Sequence, residues 1–291
     1  MTPADPVKAL IDQFSYTGQQ GAIWKGFDRF LDTDRYLNLG YSSRFQTHLI
    51  GSPQRRLVAQ VAMELTRGGV APGDRLVDLG CGRGGPTLDL ATELEVEAIG
   101  IDLVPYNLHF ARINTYDALA TPRFIQGDIS HLPIRDGVAE AVTAIDSLVY
   151  IDRTERVMAE LARILDPEAT AVITDLMLGD AGDVETATLE RFEDAWGLAA
   201  IVDIETYRAG IEASGLHIDA WTDLTPYSVG QFRAWTSRYL TLRAGHTSSL
   251  IERTFDRLDL DIDAIDEQVE AAHDILPHLR HVMVRSRIRG D

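Results

Sequence analysis

Residues 53–67, PQRRLVAQVAMELTR, set Leu57, Val58, Val61, Ala62 and Leu65 three or four positions apart. That spacing predicts a helix with one apolar face, and Pro53 suits its first turn. After the turn APGD the pattern changes. Short apolar runs predict strands near 75–79, 97–101, 123–127, 139–145 and 170–176, with helices near 85–94, 105–119 and 153–164. Strands and helices that alternate at this spacing predict a mostly parallel sheet with helices on both faces. Residues 1–50 read as helices carrying aromatics, in AIWKGFDRFLD and again in RYLNLGYSS. A helix near 203–214 stops at Gly215, a good terminal glycine, and the strand LHIDAWTDL follows. Residues 226–276 return to helical patterning before LRHVMVRSRI closes the chain as a last strand.

The pattern divides the chain into an N-terminal helical cap (1–70), an α/β core (71–225), a helical lid insertion (226–276) and the last strand of the core (277–291). An insertion placed there can cover a pocket. The 291 residues, 45% of them hydrophobic, suffice for one large domain with a cap. No apolar run reaches membrane-spanning length, and MTPADPVKALIDQF lacks the basic start and apolar stretch of a signal peptide. The single cysteine, Cys81, excludes an internal disulfide and fits a cytoplasmic location. A net charge of -18 argues against a nucleic-acid substrate. Lys8 and Lys25 are the only lysines, which fits either a GC-rich genome or a surface kept soluble in high salt.

The chemistry gathers around LVDLGCGRGGPTLDLA, residues 76–91. Gly80, Gly82 and Gly84 permit a tight turn and close backbone approach at the carboxyl end of the first strand, where open parallel sheets bind ligands. Such a turn alone is weak evidence. Three acids sharpen it. Asp78 suits a cationic group such as an ammonium and would be a poor neighbour for pyrophosphate. Asp102, ending the next strand about twenty residues on, can take both ribose hydroxyls. Asp128, after the third strand, can accept from an adenine amino group, with Ile129 packed on the ring. An ammonium end, a ribose and an adenine together describe S-adenosylmethionine. NAD has two phosphates and no ammonium.

VDLGCGRGG, GIDLVPYNLHFAR, FIQGDISHLPI, AIDSLVYI and RVMAELARIL resemble the successive motifs of class I S-adenosylmethionine-dependent methyltransferases over about residues 50–176. NLGYSS and the late helical insertion resemble the small-molecule branch, which includes glycine/sarcosine, sugar, quinone and natural-product enzymes. The resemblance implies an α/β fold with a Rossmann-like sheet. It also implies methyl transfer by in-line displacement to an O, N or C atom of a small metabolite. The donor site it implies comprises Asp78, Gly80, Cys81, Gly82, Asp102, Leu103, Asp128, Ile129, Asp146 and Ser147. One departure is ILDPEATAVI, where the family commonly has a Lys-Pro-Gly-Gly turn. Two rival readings are an NAD-linked oxidoreductase and a non-catalytic module that only binds the donor.

Methyl transfer from a sulfonium needs alignment, exclusion of water and, for some acceptors, a base. Tyr41 is a candidate wall near the methyl group and Tyr16 a weaker one, because aromatic faces favour a cation. Asp175 and Tyr150 stand at the carboxyl edge, where Asp175 could orient or deprotonate the acceptor. Some relatives carry a basic histidine about where Val149 and Tyr150 stand, and this chain has none there. His273, His278 and His281 do not read as a metal cluster, since His278 and His281 would face opposite sides of a strand. His246 is a candidate acceptor contact. Trp196, Trp221 and Trp235 read either as core or as walls of an acceptor pocket. Cys81 reads as a small packed residue rather than a nucleophile. Assembly with further copies of the chain stays open.

Overall fold

The computed structural model describes residues 6–17, 19–28, 33–42, 52–180, 182, 184–199 and 201–290. Parts of the expected cap, 1–5, 29–32 and 43–51 among them, lie outside the described residues. Seven strands form one sheet: β1 (Arg75–Leu79), β2 (Glu97–Asp102), β3 (Arg123–Gln126), β4 (Ala139–Ile145), β5 (Leu165–Leu178), β6 (Leu216–Asp223) and β7 (Leu279–Ile288). Their order is β3-β2-β1-β4-β5-β7-β6. The first five run parallel, whereas β7 pairs antiparallel with both β5 and β6. The order reverses between β1 and β4, which opens a crevice at their carboxyl ends.

The helices are α1 (Pro6–Phe14), α2 (Ala22–Phe27), α3 (Pro53–Arg67), α4 (Gly85–Glu93), α5 (Pro105–Asn114), α6 (Thr154–Ile164), α7 (Thr186–Trp196), α8 (Ile204–Ala213), α9 (Val229–Ala244), α10 (Ser248–Arg257) and α11 (Ile262–Ile275). Helix α3 starts on Ser52, whose Oγ accepts from Arg55 N, with Pro53 in its first turn. Its apolar stripe is fully buried with α4 against Leu76, Ala141 and Val172 on one face of the sheet. Each buried leucine there contributes about 2 kcal/mol. Helices α6 and α8 cover the other face through Met158, Leu161 and Ile211. A third cluster gathers α1, α2, α7, α9 and α11 around Leu178 and Leu279, at the edge where β5 ends and β7 begins.

The strand and helix order follows the apolar pattern, with three differences. Residues 36–42, expected to be helical, are irregular. Gly40 takes a φ of +86°, Leu39 N donates to the Asp146 side chain, and Tyr41 N donates to Pro53 O. Those bonds hold backbone that a helix would have paired internally. Helix α7 was not expected; its Leu189, Phe192 and Trp196 sit in an otherwise acidic stretch but share a helical spacing. Helix α5 ends at Asn114 rather than near 119, where its amide turns to Asp34 O and Arg83 O.

Candidate active site

The chain leaves β1 through Gly80-Cys81-Gly82-Arg83-Gly84 and enters α4. Gly80 has a φ of +69°, and a Cβ there would stand 2.5 Å from the Ser147 Cβ. Only glycine fits both demands. The amides of Gly80 and Cys81 donate to Ile101 O, and Gly82 N donates to Asp102 Oδ2 at 2.8 Å. The turn is thus bolted to the tip of β2. A cleft of about 90 Å³ opens on it, walled by Gly80, Cys81, Gly82, Asp102, Leu103, Asp128, Ile129, Asp146, Ser147 and Tyr150, among others.

Asp102 also accepts from Val104 N at 2.8 Å and from Asn107 Nδ2 at 3.3 Å. Burial raises its pKa to about 6, against the pull of these donors. Asp128 is half exposed and accepts from Ser130 N and Oγ. Its slight burial pushes its pKa up, but Ser130 and His131 outweigh it and leave the net shift downward. Ser147 Oγ donates to Leu79 O, which pins the turn beyond β4 to the end of β1.

Asp78 departs from expectation. Its carboxylate is buried beneath the turn, accepting from Thr87 Oγ1 at 2.6 Å and Thr143 Oγ1 at 2.9 Å. It is not among the residues that wall the cleft. Rather than facing a ligand's ammonium, it ties β1 to α4 and β4. Burial raises its pKa to about 6, partly offset by the two hydroxyls. Cys81 is buried, and burial pushes its thiol well up, as suits a packed side chain rather than a nucleophile.

Beside the cleft lies a second cavity of about 330 Å³. Trp24, Phe27, Phe192, Trp196, Phe232 and Trp235 supply its aromatic walls. Leu37, Asn38, Asp146 and Tyr150 line both spaces. Asp146 holds a φ of +52°, uncommon for a residue with a side chain. Its Oδ1 accepts from Thr174 Oγ1 at 2.6 Å and pairs with His281 Nε2 at 2.9 Å, and its Oδ2 accepts from Leu39 N at 2.8 Å. Burial pushes the Asp146 pKa up, but the His281 imidazole and the other donors outweigh it and the net shift is downward. Asp175, on the cavity wall, accepts from Tyr207 Oη and Leu176 N. Burial first, and then the Asp146 charge, push its pKa well above the usual carboxylate range. Burial likewise raises the pKa of Tyr150, whose ring meets Phe14 edge-on.

Other candidates stand elsewhere. Tyr41 stacks on Tyr227 with ring centroids 4.8 Å apart and walls neither space, so it is not the expected lining aromatic. Tyr16 lies under the guanidinium of Arg83, 4.9 Å from its ring centre. Arg83 is fully buried in the glycine turn, also over the Phe110 ring, and bonds Asp28 and Thr33 O. It ties the N-terminal segment to the turn, a role unread in the sequence. Trp196 and Trp235 line the cavity, whereas Trp221 packs under Arg208. His246 is exposed, and His273 bonds Thr236. Among the described residues no cluster of His, Cys, Asp or Glu is arranged to hold a metal ion, and no helix is long and apolar enough to cross a membrane.

The cleft has the walls of a nucleoside site. An acid sits at the tip of β2, an apolar Ile129 stands beside Asp128, and Asn107 Oδ1 and the Asn38 amide are buried there without a protein partner. Such orphaned atoms suit a polar ligand. Fold and cleft together describe an α/β protein with a crevice at the carboxyl edge of its sheet, where such sheets bind ligands. Residues 77–173 match the model of a family described as methyltransferase domain. The chain is 31% identical over 192 residues to dimethylglycine N-methyltransferase of Parasynechococcus marenigrum (strain WH8102), covering 65% of this chain and 67% of that one. It is 28% identical over 229 residues to 27-O-demethylrifamycin SV methyltransferase of Amycolatopsis mediterranei (strain S699), covering 76% and 83%. Geranyl diphosphate C-methyltransferase of Streptomyces coelicolor A3(2), crystallised with Mg2+, geranyl diphosphate and S-adenosyl-L-homocysteine, shares the fold. Its TM-score is 0.70 at 15% identity, covering 99% of this chain and 100% of that one. This chain belongs to the class I S-adenosylmethionine-dependent methyltransferases. It is an enzyme that uses S-adenosylmethionine to methylate small molecules, and the oxidoreductase reading is set aside.

Proposed function

We propose that the cleft on the glycine turn holds the donor while the aromatic cavity holds the acceptor, and that methyl transfer occurs at the wall they share. The observation that carries this reading is the contiguity of the two spaces through Leu37, Asn38, Asp146 and Tyr150. In this reading Asp102 takes the ribose hydroxyls, with Leu103 beside it. Asp128 and Ile129 take the adenine, and the backbone of Gly80, Cys81 and Gly82 lies along the amino-acid end. Asp146 and Ser147 close the wall beyond β4. When bound, S-adenosylmethionine supplies a methyl group already activated by its sulfonium. What the chain then supplies is alignment and dryness. Helices α2, α7 and α9 wall the acceptor off from water, and Tyr150 and Asp175 orient it. The N-terminal helices act as a cap and the α9–α11 insertion as a lid. The acidic surface supports a small-molecule acceptor rather than nucleic acid, and the lone cysteine supports a cytoplasmic setting.

The test is incubation of the protein with methyl-labelled donor and a fractionated metabolite extract, with products identified by mass spectrometry. Label is expected on an O, N or C atom of a small molecule, and Trp196→Ala should abolish it while donor binding persists. Label that still reaches the same product in Trp196→Ala at an unchanged rate would move the acceptor site out of the aromatic cavity.

A further inference from the structure

We propose that the aromatic cavity takes an uncharged, mainly apolar acceptor, and that Asp146 receives its O–H or N–H. The inference rests on the reading of this cavity as the acceptor site. Asp146 is the carboxylate that, among the described residues, lines both the cavity and the donor cleft. A group bonded to it stands at the seam between the two. A carboxylate offers about four lone-pair directions. Thr174 and His281 occupy Oδ1, and Leu39 N occupies one direction of Oδ2. One direction on Oδ2 is left. Three donors from three segments hold the residue at its left-handed φ, which gives this acceptor of hydrogen bonds a fixed position.

Charge sets the class of ligand. Ser228 Oγ donates its single proton to Leu224 O at 2.9 Å. The same hydroxyl lies 2.8 Å from His281 Nδ1, while His281 Nε2 stands 2.9 Å from Asp146 Oδ1. His281 is thus bonded at both ring nitrogens, and with Thr174 and Leu39 it already satisfies most of the Asp146 carboxylate. His281 is fully buried, so the pair is closed to solvent. Asp175, the other acid on the wall, is pushed toward its neutral form by burial. An anion would face the Asp146 carboxylate with no basic side chain among the described residues of the cavity wall to offset it. A cation would lose its hydration for a carboxylate that three protein partners already hold. The buried polar atoms left free on the wall are neutral: the Asn38 amide, Gln54 Oε1 and Trp24 Nε1. His281 is a positioning residue here, acting on the acceptor only through Asp146.

The experiment uses four ring compounds of similar size, with S-adenosylhomocysteine present and absent. They are 2-naphthol, 2-methoxynaphthalene, 2-naphthoate and 2-naphthylmethylammonium, and binding is followed by calorimetry and tryptophan fluorescence. We expect 2-naphthol to bind about ten-fold tighter than its methyl ether, the effect of one hydrogen bond to a charged acceptor. Both ions should bind more weakly than the ether. In Asp146→Asn the naphthol preference should fall below about three-fold. Equal binding of naphthol and ether by the native chain, or tighter binding of either ion, would overturn the proposal whether or not the variant folds. A preference that survives Asp146→Asn intact would overturn the role of Asp146. If none of the four binds, the cavity is no acceptor site and the reading beneath the proposal falls with it. If all bind without discrimination, that reading stands and the proposal alone fails.

Discussion

The two spaces at the sheet edge are built in opposite ways. The cleft on the glycine turn is made mainly from strand tips and the turns that follow them. Gly82 bonds Asp102, Asp102 bonds Val104 and Asn107, and Asp128 bonds Ser130. The aromatic cavity draws on α2, the irregular stretch 33–39, α7, α9 and the start of β7. Its polar wall depends on a pair, Asp146 and His281, that is 135 residues apart in the chain. A cleft fixed by neighbours in sequence can keep one ligand while the rest of the fold varies. A cavity assembled from distant helices can change its contents by changing a few side chains.

The largest expected effect falls on the cleft alone. Asp102→Ala removes an acid that accepts three protein donors and, in the proposed mode, the ribose hydroxyls as well. Affinity for S-adenosylhomocysteine should drop about 100-fold, as expected for two lost bonds to a charged acceptor. Calorimetry on the folded variant checks it, and 2-naphthol binding should stay near the native value. Loss of both would show that the two spaces are not independent.

A second effect, about ten-fold, separates them by pH. Asp102 has a pKa of about 6 against an ordinary 3.8. Its ionised form is the better acceptor, so affinity for S-adenosylhomocysteine should rise as pH rises through about 6. About one unit below that value it should be roughly ten-fold weaker. Asp102→Asn should flatten the profile. Asp78 also sits at about 6. Both groups bind a proton more tightly folded than unfolded, so the stability they contribute is present below about pH 4. It is lost as pH rises to about 6. Thermal melts of the ligand-free chain should therefore show these two acids lowering stability across that interval.

The smallest effect belongs to the cavity. Trp235 stacks on Phe232 at 5.5 Å and on Tyr239 at 5.8 Å, at the edge of the aromatic wall. Trp235→Ala should weaken 2-naphthol about five-fold, the scale of one aromatic contact, and leave S-adenosylhomocysteine binding unchanged. Equal weakening of both would mean that the insertion shapes the cleft too.

The same contrast explains what the sequence reveals. The succession of strands along the chain, the glycine turn, and the placing of Asp102, Asp128 and Ile129 at the carboxyl edge of the sheet are legible because each is a local pattern: an apolar run, a turn, an acid at a strand tip. Asp78 misleads for the same reason. A local reading aims a strand-tip acid at the ligand, whereas Thr87 on α4 and Thr143 on β4 draw it beneath the turn. Tyr41 misleads because its partner, Tyr227, is nearly two hundred residues away. His281 reads as an ordinary strand histidine until β7 lies beside β5 and brings it to Asp146. Helix α7 did leave a trace, in Leu189, Phe192 and Trp196 at helical spacing, but acidic neighbours obscure it.

Arg83 carries a consequence for any redesign of this scaffold. Its guanidinium has no exposure and relies on Asp28, Thr33 and Tyr16 for most of its bonds. Deleting the leading forty residues, or grafting on those of another enzyme, would strand a cation inside the apolar interior beneath the glycine turn. The beginning of the chain is therefore a keystone set into the glycine turn, and a redesign of either segment has to carry the other with it.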